Sequence, residues 1–235
     1  MRKSLKKIQR KAAVFDIDGT LFRSSLLIEI TEALVQERAF PPQVRNVYWR
    51  AYKNWHERKG SYDDYIGAVI KAFEKNIKGV RHGDFLQIAK KVVASDQNRV
   101  YRYTRDLLKK LRSKNYYLLA ISNSPREIVE GFCKKLGFHK VYGRIYEVGK
   151  GKKFTGKVNY AELITDKSKI LQRAVEKEHL TLRNSIGVGD TENDVPFLKM
   201  VEKPICFNPN KRLYQYAKRA GWQIVVERKD MIYKI

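Results

Sequence analysis

Ala12-Ala13-Val14-Phe15-Asp16-Ile17-Asp18-Gly19-Thr20-Leu21 is the stretch from which the rest of the chain can be read. A short apolar run of this kind reads as a buried strand, and it stops at two carboxylates, a glycine and a threonine. Alternate residues of a strand point to one side, so Asp16 and Asp18 are expected on a common face. Gly19 has no Cβ, which lets the backbone turn tightly or come close to a ligand. Two carboxylates that near repel each other unless a cation lies between them or one keeps its proton. Oxygen ligands with no His or Cys nearby suit a hard divalent ion such as Mg²⁺. Taken alone, the stretch also reads as a strand running into an Asp-rich turn. A second acidic cluster, Gly189-Asp190-Thr191-Glu192-Asn193-Asp194, tips the reading toward a site.

Downstream of Leu21 the pattern is helical. Ser24 or Ser25 can cap a helix running to about Arg38, and Pro41-Pro42 interrupts it. Val44, Tyr48, Ala51 and Trp55 then share one helical face, as do Tyr62, Ile66, Val69, Ile70 and Phe73, and again Phe85, Ile88 and Val92. Residues 22–100 therefore read as an all-helical block. From about Tyr103, helices and strands alternate. The strand Tyr116–Ile121 ends at Ser122-Asn123-Ser124-Pro125, and a short strand follows near Val141. The segment Ile145–Val158 reads as a hairpin turned by glycines, followed by a helix over Lys169–Lys177. The strand Asn184–Val188 ends at the second acidic cluster, and the strands Ile205–Phe207 and Gln223–Val226 complete the chain. This alternation predicts an α/β fold: a Rossmann-like, doubly wound parallel sheet whose site lies beyond the carboxyl ends of the strands. Residues 1–21 and 101–235 form its core domain, and 22–100 an inserted helical domain.

The bulk composition agrees with a packed core. Hydrophobic residues make up 43% of the 235 residues, enough for a core and against disorder. Cys133 and Cys206 lie far apart in apolar surroundings, which fits a reducing, cytoplasmic setting with no disulfide. No apolar run approaches the roughly 20 residues of a membrane-spanning helix. The net charge of +24 draws anions, but the lysines recur on every expected helix and form no single patch. The first eleven residues, with Arg2, Lys3, Lys6, Lys7, Arg10 and Lys11, are a candidate anion-binding tail.

Each apolar strand thus ends in a different chemical tool: Asp16 and Asp18, then Ser122 and Asn123, then Asp190, Asn193 and Asp194. Asp16-Ile-Asp18-Gly-Thr, the Ser122 strand end, Lys167 and Gly189-Asp190-Thr-Glu-Asn193-Asp194 together resemble the four motifs of the haloacid dehalogenase-like hydrolases. The helical insert resembles that superfamily's C1 cap, and the chain is most similar to its phosphoserine-phosphatase-like branch. The resemblance implies roles residue by residue. Asp16 is the nucleophile and forms an aspartyl-phosphate. Asp18 protonates the leaving oxygen, then activates water, and lends its backbone carbonyl to the metal. Asp190 ligates Mg²⁺ with Asp16, while Asp194 binds the ion or positions its waters. Ser122 and Lys167 hold the transferring phosphoryl group, with Thr20, Asn123 and Asn193 as supports.

Two departures bear on substrate. Ser25 stands where the phosphoserine enzymes carry a Glu for the substrate amine, and Ser122-Asn123-Ser124-Pro125 replaces their Ser-Gly-Gly. In the cap, Arg23, Arg50, Lys53, His56 and Tyr62 are candidate specificity residues. The expected activity is a Mg²⁺-dependent phosphatase acting on a small phosphorylated metabolite. One alternative directs the same chemistry at a larger anion, a phospholipid or a nucleic-acid terminal phosphate. Another is a non-catalytic, basic nucleic-acid-binding module, but the intact acids and the lack of a nucleic-acid motif speak against it. Asp18 favours phosphoryl transfer over dehalogenation, since a leaving alkoxide needs an acid.

Overall fold

A computed structural model describes residues 9–235, so most of the basic N-terminal tail lies outside the described residues. The strand expected at the first motif is β1 (Arg10–Asp16), and it occupies the middle of an eight-stranded sheet. It pairs in parallel with β2 (Tyr117–Pro125) on one side and β5 (Leu180–Gly189) on the other. Beyond β2 lie β3 (Lys140–Val148), parallel, and β4 (Phe154–Asn159), antiparallel. Beyond β5 lie the parallel β6 (Lys203–Phe207) and β7 (Gln223–Arg228), then the antiparallel β8 (Met231–Lys234).

β1 shows why its sequence is an unbroken apolar run. Ala13, Phe15 and Ile17 belong to the core on one face, Ala12 and Val14 to the core on the other, and all five are fully buried. A strand covered on both faces has no solvent side to mark with polar residues. The second core is closed by α8 (Lys167–Lys177), α9 (Val195–Leu198) and α10 (Lys211–Ala220). Helix α7 (Ala161–Thr165) precedes α8, which starts two residues earlier than the sequence pattern suggests because Asp166 caps it, accepting from the Ser168 N–H at 3.0 Å.

The first core runs from the sheet into the helices α1 (Leu26–Gln36), α2 (Val44–His56), α3 (Tyr62–Asn76), α4 (His82–Asp96), α5 (Arg102–Ser113) and α6 (Arg126–Leu136). Helices α2 and α3 join through an aromatic cluster: Trp55 stacks on Tyr65 at 5.6 Å and meets the Tyr62 ring at 5.5 Å. A Ser61–Asp64 capping box fixes the start of α3, and hence the position of Tyr62. The β3–β4 hairpin leans onto this helical block. Phe154 exchanges backbone hydrogen bonds with Gly79 and Val80, and its ring packs on Phe85.

Other local expectations change too. β3 is nine residues long rather than a short strand at Val141, because it continues into the hairpin. β8 follows a turn at Lys229, whose φ of 54° is unusual for a lysine and hid the turn. Ser25 sits at the start of α1 but makes no side-chain cap; the Leu26 N–H donates to Asp18 Oδ1 at 2.5 Å instead. Among the described residues, no helix is long and apolar enough to cross a membrane.

Candidate active site

Asp16 ends β1, Ser122 lies near the end of β2, Asp190 follows β5, and Lys167 opens α8. Parallel strands point their carboxyl ends the same way, so all four converge on one edge of the sheet. Lys167 is buried, and its ammonium bridges Asp16 Oδ1 and Asp194 Oδ1, each at 2.5 Å. Asp194 is fully buried, and its other oxygen accepts from the backbone N–H groups of Asp190 (2.9 Å) and Thr191 (3.1 Å). Both oxygens of Asp194 are therefore occupied. It clamps the acidic loop to Lys167. Asp16 Oδ2, by contrast, is buried with no partner among the described residues.

Two glycines make the approach possible. Gly19 has φ +77°, and a Cβ there would sit 2.1 Å from Asp190 Oδ2. At Gly189 a Cβ would come within 2.6 Å of the Asp194 side chain. Only glycine leaves the two acidic loops room to touch.

Asp18 lies two residues past the end of β1, and its carboxylate turns toward β2. Its Oδ2 accepts from Ser122 Oγ (2.5 Å) and Ser124 Oγ (2.9 Å), while Ser124 Oγ accepts from the Leu27 N–H at 3.0 Å. One acid thus ties the start of α1 to the end of β2. Thr20 is fully buried, and its Oγ1 has no partner among the described residues. Its carbonyl accepts from Thr104 Oγ1 at 3.0 Å, so it braces the loop from behind.

Burial sets the electrostatics. It pushes the Asp16 carboxyl up to about 7, with Asp194 and Asp18 adding to the rise and Lys167 opposing it. Burial and the neighbouring Asp16 and Asp194 likewise raise Asp190 well above the usual carboxylate range. Burial alone would lower Lys167, but Asp16 and Asp194 outweigh it and hold the ammonium charged. Several acids facing one lysine leave the pocket short of positive charge.

A cavity of about 170 Å³ opens over these groups. Asp16, Asp18, Lys167 and Asp190 form its floor, with Asn123, Asn193, Ser25 and Ser124 at the sides. α3 supplies Tyr62, Asp63, Ile66 and Ile70; β3 supplies Arg144 and Tyr146. Ser122 and Asp194 support this floor from beneath. Of the five cap candidates, Tyr62 lines the cavity, while Arg23, Arg50, Lys53 and His56 do not. Burial and the nearby Asp18 and Asp190 raise the Tyr62 phenol well above its ordinary value. Sequence reasoning missed Ser124, Arg144 and Tyr146. Ser124 shares the strand face of Ser122 by the two-residue period. Arg144 and Tyr146 follow from the rule about strand ends once β3 is drawn at its full length.

The sequence profile of the haloacid dehalogenase-like hydrolases matches residues 13–199, from β1 through the acidic cluster. The chain is a haloacid dehalogenase-like hydrolase. Over 223 residues it is 25% identical to the inhibition of morphological differentiation protein of Streptomyces azureus, covering 93% of this chain and 79% of that one. It is also 25% identical over 219 residues to phosphoserine phosphatase SerB1 of Mycobacterium tuberculosis, covering 91% and 70% of the two chains. A solved phospho-aspartyl intermediate analogue of a phosphoserine phosphatase superposes with a TM-score of 0.62 at 22% identity, over 95% of this chain and 96% of that one. The fold of this hydrolase is therefore that of the phosphoserine-phosphatase-like branch.

In this hydrolase one carboxylate oxygen from each of Asp16, Asp190 and Asp194 lies within 4.8 Å of the others. The donors are all oxygen, and Asp16 Oδ2 is free to take a ligand. Such a set suits a hard divalent cation, which also relieves the crowding of negative charge. Asp16 and Asp190 would hold such an ion. Asp194, with both oxygens engaged, keeps Asp190 in position.

Proposed function

We propose that this hydrolase is a Mg²⁺-dependent phosphatase that cleaves small phosphomonoesters through an aspartyl-phosphate on Asp16. One observation carries the reading: Asp16 lies at the floor of a small cavity, with one oxygen held by Lys167 and the other unpartnered. A carboxylate fixed by Lys167 at one oxygen is held in one orientation, and its unpartnered oxygen keeps lone pairs for attack. Mg²⁺ on Asp16 and Asp190 would supply the positive charge that lets an anion approach a phosphate.

In the first step an Asp16 oxygen bonds to phosphorus as the bond to the leaving oxygen breaks. Asp18 gives its proton to that oxygen and is left as a carboxylate, steadied by Ser122, Ser124 and the Leu26 N–H. In the second step Asp18 takes a proton from water, whose oxygen attacks phosphorus and frees Asp16. Lys167 offsets charge on the phosphoryl oxygens throughout, while the Ser122 hydroxyl, expected to grip the phosphoryl group, is spent on Asp18 and holds that acid in place. Thr20 braces the loop, and Asn123 and Asn193 line the path to it. The uncatalysed reaction is among the slowest known, which justifies a covalent route.

Residues 22–100 act as a cap on the core of residues 1–21 and 101–235. Through α3 they set the roof of the cavity, and roof closure excludes bulk water. The cavity volume of about 170 Å³ favours a small metabolite over a lipid or a nucleic-acid end. Free, buried Cys133 and Cys206 support a reducing, cytoplasmic setting. The test is hydrolysis of 4-nitrophenyl phosphate with Mg²⁺ and with chelator. Turnover should need the metal and vanish in Asp16→Asn; equal turnover by that variant would end the proposal.

A further inference from the structure

The strands β1, β2 and β3 begin at the edge of the sheet opposite the catalytic cavity, and three basic side chains meet there. Arg10 opens β1 and Asp16 closes it, so about 20 Å of extended chain separates this edge from the acids. The Arg10 guanidinium donates to the carbonyls of Tyr116 (2.9 Å) and Asn115 (3.4 Å), just ahead of β2. His139 precedes β3, and its ring stacks on Tyr117 at 4.9 Å. Arg112 stands in the last turn of α5. Its guanidinium lies against Gly137, where a Cβ would come 2.6 Å from Nη1.

The ring nitrogens of His139 decide what this cluster can do. Leu118 is fully buried; its N–H points at His139 Nδ1, 3.0 Å away, and its carbonyl accepts from the His139 backbone N–H at 2.9 Å. A buried N–H needs an acceptor, so Nδ1 keeps its lone pair. A neutral imidazole has one acceptor nitrogen and one donor, which puts the proton on Nε2. Nε2 lies 3.0 Å from Arg10 Nη2, a group that can only donate. Two N–H donors therefore face each other. A second proton on the ring would set Nδ1–H against the Leu118 N–H and gain nothing. The charges acting on His139 are both positive, from Arg10 and Arg112, and with burial they hold the imidazole below its ordinary value.

Opposed donors beside a second guanidinium are matched by an oxygen that carries negative charge and several lone pairs. The planar guanidinium fork suits a tetrahedral oxyanion in particular. His139 and Arg112 are exposed, so such an ion reaches them from solvent. We propose that Arg10, Arg112 and His139 form a binding site for a phosphate-like oxyanion, separate from the catalytic centre. The ion accepts from Arg10 Nη2 and His139 Nε2 together, and Arg112 approaches it from the Gly137 side. Lys114 and Lys140, exposed at the same edge, extend the field to a ligand with more than one phosphate. The site does not depend on the role of Asp16.

The experiment is an NMR titration of protein labelled with ¹⁵N in its histidine rings, using sodium sulfate at constant ionic strength. Before sulfate is added, His139 should carry its proton on Nε2 and none on Nδ1. Sulfate should then shift the Nε2 resonance along a saturable curve. This nucleus lies at the far edge of the sheet, so an ion in the catalytic cavity does not register on it. Arg112→Gln should raise Kd about tenfold or more, the worth of one charged hydrogen bond, and leave turnover of an aryl phosphate unchanged. Arg50→Gln, on the exposed face of α2, removes the same charge and should leave Kd as it is. Inorganic phosphate and tripolyphosphate separate the sources: equal Kd values name the free ion, and tighter tripolyphosphate names a phosphate on a longer chain. A proton on Nδ1, a shift that grows linearly without saturating, or the same Kd in the two variants would overturn the proposal.

Discussion

Replacing Lys167 by Met removes the cation that faces Asp16 and Asp194 and keeps a side chain of similar length. The two contacts are 2.5 Å long and buried. At an effective dielectric near 20, each is worth about 6–7 kcal/mol of gross attraction, most of it offset by the cost of burying the ammonium. Removing one partner of such a pair leaves the carboxylates uncompensated and costs about 3–5 kcal/mol. For a chain of this size that corresponds to a fall in Tm of about 6–20 °C. The loss should also depend on pH. Asp16 already titrates near 7 because burial favours its neutral form. A folded-state value above the unfolded one gives stability that is present below the unfolded value and lost as pH rises through the folded one. Without Lys167 the Asp16 carboxyl loses the cation that opposes its rise and titrates higher still. The deficit should therefore be smaller at pH 5, where Asp16 holds its proton, than at pH 8. Thermal unfolding of wild type and Lys167→Met by circular dichroism, in chelator, measures both effects. A shift under about 2 °C at pH 8, or a deficit larger at pH 5 than at pH 8, would refute the reasoning.

Two further outcomes follow from the same site. Adding Mg²⁺ to the wild type should raise Tm more at pH 8 than at pH 5.5, because the ion replaces protons on Asp16 and Asp190, both of which titrate high; scanning calorimetry across that range reads it, and a larger rise at low pH contradicts it. Gly19→Ala places a Cβ 2.1 Å from Asp190 Oδ2 at a backbone φ of +77°, so turnover should fall by about a hundredfold or more and the Mg²⁺ stabilisation should shrink; near-normal turnover would mean that the two acidic loops do not need this contact.

How much of this was legible beforehand varies element by element. β1 was clear because a strand buried on both faces writes its apolar residues consecutively and then stops at Asp16. The alternation after Tyr103 gave the parallel sheet for the same reason. The end of β3 was not legible, because Gly143 and Arg144 interrupt the apolar run although the strand continues into the hairpin. That break concealed Arg144 and Tyr146 as cavity residues. β8 was missed because Lys229 adopts a left-handed turn that its residue type does not advertise. The acids could be listed from sequence, but their division of labour could not. Asp194 spends both oxygens on Lys167 and the Asp190–Thr191 backbone, and Asp18 turns to Ser122, Ser124 and Leu26. Such partners come from distant segments, and only the folded chain pairs them.

The central claim is that Asp16 carries the phosphoryl group between two half-reactions. Mixing the protein and Mg²⁺ with a ³²P-labelled phosphomonoester, quenching in acid within milliseconds and mapping the peptides tests it directly. Label should appear in the peptide containing Asp16, acid-stable and released by hydroxylamine, and be absent from Asp16→Asn. Turnover with no protein-bound label in the burst, or label on another residue, would contradict the account.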